Sequence, residues 1–220
     1  MKSWWSTTTR VIALRNVRSA LAAGRAIAEG MQAQVTTDLI SAIDARAVPG
    51  HYTSQIVSSL SEAIEMGLHL PIVYNCSGYE SIEVIRLLEG IVDIYMPDIK
   101  FMDEEYSKRY SNAPDYTEVV RNVLKEMHRQ VGDLTMNSRG IAQRGLLIRH
   151  LVMPGGVASS ESVLKFIAEE ISVHTYVNIM DQYRPEYRAH EYAEISRRIT
   201  HKEYLDAIQF ARSFCLHRGF

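Results

Sequence analysis

The stretch PIVYNCSGYESIEVIRLLEGIVDIYMPDIK, residues 71–100, holds two short apolar runs that each end in polar residues, with a helical pattern between them. The first run, PIVYNCSGY (71–79), closes on Asn75, Cys76, Ser77 and Gly78, and the second, IVDIYMPDIK (91–100), closes on Asp98 and Lys100. Between them Ile82, Val84, Ile85 and Leu88 recur at helical spacing until Gly90 ends the pattern. Strand, helix and strand in so short a span read as a βα unit of a parallel sheet. Two further runs repeat the design, LLIRHLVMPGG (146–156) and TYVNIMDQYRP (175–185). Polar groups therefore collect along one rim, where α/β folds bind their ligands.

The segments around these runs supply the helices. SQIVSSLSEAIEM (54–66) sets Ile56, Val57, Leu60, Ala63 and Ile64 on one stripe and stops at Gly67. A polar insertion, FMDEEYSKRYSNAPDY (101–116), leads to TEVVRNVLKEMHRQVG (117–132), with Thr117 as the expected N-cap and Val120, Leu124 and Met127 as the buried face. Further helices are expected over Ser160–Glu170 and over 200–213, where Thr200 and Glu203 stand in capping-box spacing. Strands are expected at 71–75, 91–96, 146–153 and 175–180. The alternation predicts a partial or complete β/α barrel.

A chain of 220 residues with 46% hydrophobic content can bury one sizeable core. Its net charge of −2 and pI near 6.4 supply no broad field for nucleic acid or an acidic membrane surface. No stretch approaches the roughly 20 apolar residues of a membrane helix. The two cysteines, Cys76 and Cys215, form neither a CxxC site nor a disulfide framework, which suits a reducing cytoplasm. Residues 1–47 differ in kind. Lys2, Arg10, Arg15, Arg18 and Arg25 precede the first acid, Glu29, in a small-residue context similar to an organellar transit segment, though a surface helix over 12–30 explains it as well.

The rim residues offer several chemistries. Asp98 and Lys100, two apart at a strand end, share one face and can present a carboxylate and an ammonium to a zwitterionic amino-acid group. An ordinary surface ion pair, worth about 0–1 kcal/mol, accounts for them equally. Asn75, Ser77 and Gly78 suit a cation held by oxygens or a plain strand-to-helix turn. Cys76 lacks a local His to activate it and reads as a packing residue. MPGG (153–156) allows close backbone approach but lacks the Lys and Ser/Thr of a P-loop. His150, His174 and His190 have no metal spacing, His51 remains open, and Arg184 can clamp an anion or pair with Glu186 or Glu191.

Taken together, PGHY (49–52), YNCSGY (74–79), VDIYMPDIK (92–100), APDY (113–116), EMHRQVGDL (126–134), RGLLIRHLVMPGG (144–156), YVNIMDQYRP (176–185) and HEY with RRIT (190–200) stand in the order of a known family. Over residues 48 to 213 the chain resembles the pyruvate formate-lyase activating enzyme-like radical S-adenosylmethionine proteins. The resemblance implies a partial (β/α)6 barrel of TIM type over residues 48–220, with 1–47 as an atypical segment. It implies S-adenosylmethionine and a 4Fe-4S cluster as cofactors, reductive cleavage to a 5′-deoxyadenosyl radical, and a glycyl-radical enzyme or another protein as substrate. By the same resemblance Asp98, with Asn75, Cys76, Ser77, Gly78 and the Met96 carbonyl, would hold a monovalent cation, and Lys100 would face the cofactor carboxylate. Arg149, Pro154 and Gly155 would lie near the adenosine, and Asp181, Gln182 and Tyr183 where cofactor and substrate spaces meet.

One departure stands out: the family's CxxxCxxC triad, expected before PGHY, is absent. Cluster irons are held by thiolates, and Cys76 and Cys215 cannot replace three of them. Two expectations follow. Either the catalytic front end is lost from this polypeptide or supplied elsewhere, or the chain is a non-catalytic binding or scaffold protein that keeps a nucleoside-like pocket. A third reading, an aldolase or isomerase with Lys100 as a Schiff-base residue, suffers because Asp98 would hold the ammonium charged. A barrel without its front strand also exposes an edge, so self-association is expected.

Overall fold

The structure is a computed structural model that describes residues 70–220 and, for the backbone only, the short strand β1 (Ile12–Ala13). Apolar continuity decides its strands. β2 (Ile72–Cys76) is buried at every position and β3 (Ile94–Ile99) at every position but Asp98, the pattern of strands covered on both faces. α1 (Ile82–Leu87) joins them. After β3 come α2 (Glu104–Ser111), α3 (Tyr116–Val131), β4 (Thr135–Met136), β5 (Ala142–Leu151), α4 (Ser160–Phe166), β6 (Tyr176–Met180) and α5 (His201–Ser213). Among the described residues β1, β2, β3, β5 and β6 pair side by side in that order, all parallel, while β4 folds back antiparallel on β5. This is the expected α/β architecture, a partial TIM-like barrel of parallel strands.

Side chains alternate across the sheet, so each strand feeds two faces. One face carries Tyr74, Cys76, Tyr95, Ile99, Leu146, Ile148, Val177 and Ile179 into the main core, which the helices cover. The predicted helical stripe is right: Val120, Leu124 and Met127 of α3 are fully buried there. The inner face has a smaller apolar cluster of Val73, Ile94, Met96, Leu134 and Tyr176. Toward the strand ends it turns polar, with Asn75, Asp98, Arg149 and Asn178.

Several boundaries differ from expectation. β3 starts at Ile94 rather than residue 91, because the amides of Ile91 and Val92 still bond the Leu88 carbonyl at the end of α1. The polar insertion contains α2, started by Asp103, whose carboxylate accepts from the amides of Glu105 and Tyr106. α3 begins two residues earlier than that cap implies, with Asp115 and not Thr117 in the N-cap position. α4 gives way at Ile167–Ile171 to a π-helical turn, which an apolar pattern does not announce. Residues 12–13, expected in a helix, are instead extended beside β2, where the edge strand's unpaired amides and carbonyls recruit a partner. The expected helix at 54–66 and His51 lie outside the described residues. The Thr200–Glu203 capping box is present as read, with both reciprocal bonds formed.

His150 locks the sheet to its helical layer. Wholly buried on β5, its Nδ1 lies 2.9 Å from the Ile99 carbonyl and its Nε2 2.8 Å from Ser160 Oγ. A neutral ring satisfies both, Nδ1–H donating to the carbonyl and Nε2 accepting from the hydroxyl. Burial holds the ring neutral, lowering its pKa from 6.5 to about 4. The unfolded chain therefore takes up a proton first on acidification. His150's contribution to stability is complete above pH 6.5 and is lost as pH falls through 4, a change of about 3 kcal/mol. Urea unfolding across that range should show His150→Gln losing this acid-side decline, while its stability near pH 8 changes less.

Candidate functional site

The tips of β2, β3 and β5 meet on the inner face because of register. Asp98 stands opposite Arg149, and Arg149 opposite Asn178 of β6, so three strands present polar side chains at one level. Asn75 lies one step below, opposite Met96. Arg149 crosses β3 to join them: its Nη2 donates to Asn75 Oδ1 at 2.9 Å and lies 2.6 Å from Asp98 Oδ1. Lys100 Nζ is 3.8 Å from Asp98 Oδ2. Four of the sequence-predicted residues thus form one continuous polar chain. It carries two cations and one carboxylate, a net positive charge facing the barrel interior.

Exposure separates their roles. The side chains of Asp98 and Arg149 are 20% and 25% exposed, whereas that of Lys100 is 42% exposed. The Asp98–Arg149 pair therefore works in a partly desolvated setting, and Lys100 is the group that reaches solvent or a ligand. Arg149 Nε is buried with no hydrogen-bond acceptor among the described residues. A guanidinium N–H left in that state favours an incoming acceptor, such as a carboxylate oxygen.

The strand tips are held by contacts that spacing alone does not reveal. Tyr116, at the start of α3, accepts from the Lys100 amide at 2.9 Å and donates to the Ser77 carbonyl at 3.4 Å. Gly78 then turns the chain so closely over β3 that a Cβ would stand 2.4 Å from the Asp98 carbonyl oxygen. Its φ of +78° is also a glycine conformation. Asn178 and Tyr116 are thus the neighbours of the site that the sequence reading did not name as site residues. Only Asn178 had a signal, as a polar residue interrupting an apolar strand.

Other predicted residues do not join this cluster. Cys76 points to the opposite face, fully buried beside Tyr74 and Tyr95, where burial and then the charge of Glu80 push its thiol well up. Only its backbone faces the tip. Met96 is a buried floor beneath the polar tier. Pro154 is buried, and the Gly155 amide donates to Glu203 Oε1 at 2.8 Å, so this turn is tied to the start of α5. Tyr183 is buried in the helix-side core with its hydroxyl on the Ile195 carbonyl at 2.8 Å. Asp181 and Gln182 are exposed, the latter with its amide 3.5 Å from Met180 Sδ. Glu191 pairs with Arg188, not with Arg184. Ser77 Oγ accepts from the Tyr79 amide at 3.3 Å.

Among the described residues no group of three or more His, Cys, Asp or Glu can hold a metal ion. With Cys76 buried on the helix side and Cys215 exposed after α5, the thiols present do not fit a 4Fe-4S cluster. Among the described residues no helix is long and apolar enough to cross a membrane.

Two substitutions test this local structure. Gly78→Ala forces its methyl against the Asp98 carbonyl and should lower the thermal midpoint and displace Lys100. Loss of the Asp98–Lys100 arrangement would be read by NMR shifts of the lysine ammonium. Glu80, beneath the tip, is desolvated, which raises its pKa from 4.5 to about 7 despite a bond from the Tyr74 hydroxyl. Its share of stability is complete below pH 4.5 and lost as pH rises through 7, by about 3 kcal/mol, opposing the His150 effect where the two windows overlap. Urea unfolding of Glu80→Gln should therefore show a gain over the parent at pH 8 and little difference at pH 4.5.

No family model matches the chain. An uncharacterized protein of Methanocaldococcus jannaschii is 32% identical over 170 residues, covering 77% of this chain and 46% of that protein. The chain thus spans about half the length of the curated relative it matches. Among solved structures, a domain of pyruvate-formate lyase-activating enzyme from Bacteroides vulgatus superposes with a TM-score of 0.53 at 13% identity, over 76% of this chain and 89% of that domain. At that identity the likeness is one of fold: the chain shares the partial-barrel α/β architecture of an activating-enzyme domain.

Proposed function

We propose that the inner strand tips bind the amino-acid end of S-adenosylmethionine, and that the chain is a radical S-adenosylmethionine-type protein akin to the activating enzymes of glycyl-radical enzymes. The observation that carries this reading is the single polar chain Asn75–Arg149–Asp98–Lys100 at the tips of β2, β3 and β5. The fold likeness to an activating-enzyme domain supports it. Lys100, on the exposed end, meets the ligand carboxylate; Arg149 Nε offers a second donor; Asp98 holds both cations in position. Tyr116 fixes the height of Lys100 through its backbone amide. When bound, the ligand supplies a sulfonium nucleoside to the barrel interior.

The reductive half of the family's chemistry is not assigned to these residues. Two cysteines in the whole sequence cannot supply the three thiolates of the cluster motif. This favours a second reading, a binding or scaffold protein that keeps the nucleoside pocket without cleaving its ligand. On either reading the setting is cytoplasmic and the partner is a protein substrate or a second copy of the chain.

Isothermal titration of S-adenosylmethionine under anaerobic conditions tests the proposal. Binding is expected, with Lys100→Ala weakening it at least tenfold, about 1.4 kcal/mol. Heat changes absent at millimolar ligand would reject the pocket. Iron–sulfur reconstitution of the same protein should give no thiolate-to-iron absorbance. Binding without cluster selects the scaffold reading, and a stable cluster overturns the thiol count as its basis.

A further inference from the structure

The resemblance implies a monovalent cation shared between Asp98 and the oxygens of the NCSG turn. The geometry disagrees. The side-chain oxygens at the tips of β2 and β3 are Asn75 Oδ1, Ser77 Oγ and the two of Asp98. Arg149 Nη2 donates to Asn75 Oδ1 at 2.9 Å and lies 2.6 Å from Asp98 Oδ1. Lys100 Nζ stands 3.8 Å from Asp98 Oδ2, and Ser77 Oγ accepts from the Tyr79 amide at 3.3 Å. Even the Ser77 carbonyl accepts from the Tyr116 hydroxyl at 3.4 Å. Asn75 Oδ1, Ser77 Oγ and the Ser77 carbonyl each accept a hydrogen bond, while the Asp98 oxygens, although Oδ1 is buried without a hydrogen bond of its own among the described residues, stand against the guanidinium and the ammonium as ion pairs.

Charge points the same way. A bound cation needs oxygens with spare negative potential, but here one carboxylate is matched by a guanidinium and an ammonium. A third positive charge would be repelled by both at close range. We propose that Arg149 is a built-in counter-ion that takes the place of a free monovalent cation, so that this site works without one. Asp98 then positions the guanidinium, and the surplus positive charge of Lys100 is left for an anionic ligand group. Arg149 reaches both side chains through one terminal nitrogen, Nη2, which donates to Asn75 Oδ1 and stands against Asp98 Oδ1, whereas a spherical ion must collect further oxygens.

The test uses the whole protein and sodium or potassium as the probe, without any nucleoside ligand. Sodium-23 NMR relaxation, and thermal unfolding in NaCl or KCl against choline chloride at equal ionic strength, are recorded for the parent chain. No saturable sodium relaxation enhancement and no saturable stabilisation by sodium or potassium are expected. Arg149→Met, which leaves Asp98 uncompensated, should acquire a saturable response to one of the two ions, and adding Asp98→Asn should remove it. Arg149→Lys, which keeps the charge, should behave as the parent. A saturable response in the parent that Asp98→Asn abolishes would overturn the proposal. This proposal rests on the site geometry and not on the ligand's identity: failure of S-adenosylmethionine to bind would reject the function above while leaving the cation result readable.

Discussion

Everything distinctive at the strand tips depends on one register. β3 lies against β5 so that Asp98 is opposite Arg149, and both side chains fall on the inner face. A slip of one residue would send the pair to opposite faces and place a guanidinium in the helix-covered core. The same register sets Ile94, Met96 and Leu147 on the inner face and Tyr95, Ile99, Leu146 and Ile148 under the helices. Burial of those apolar residues therefore enforces the polar pairing. The ion pair follows from the packing.

The helical layer supports the tips from behind. Tyr116 spans from α3 to the backbone of both β2 and β3, and His150 clamps the carbonyl of Ile99 while holding Ser160 at the start of α4. Ile99 lies between Asp98 and Lys100, so two buried polar side chains fix the backbone on which the acidic and basic groups stand. Such contacts are costly to leave unmade in a dry interior, which makes them precise positioning devices. Glu203 performs a similar service further along, capping α5, pairing with Arg197 and holding the Gly155 amide.

The chemistry that the tips favour is recognition of an anionic group by Lys100 and Arg149, with no side-chain contribution from Cys76. Cys76 is adjacent in sequence to Asn75 yet contributes its side chain to the opposite face, among tyrosines. Period-two alternation makes neighbours in a strand strangers in space. The NCSG motif is therefore two structures in one: Asn75 belongs to the polar chain, Cys76 to the core, Ser77 and Gly78 to the turn over β3.

How much of this was legible beforehand follows physical lines. Apolar runs ending in polar residues, helical stripes and the Thr200–Glu203 cap depend on local periodicity and backbone chemistry, and these predicted the α/β alternation and the buried face of α3. Local signals also singled out Asn75, Asp98 and Lys100, whereas Arg149 was named only by the family resemblance. They missed α2, misplaced the start of β3, and could not tell that the MPGG turn is tied to α5. Composition and the spacing of polar residues thus determined the fold class and named the candidate groups. Tertiary structure alone decided that Arg149 reaches across β3 to Asp98 and Asn75, because that contact spans 74 residues and depends on the lateral order of the strands, which no local pattern encodes.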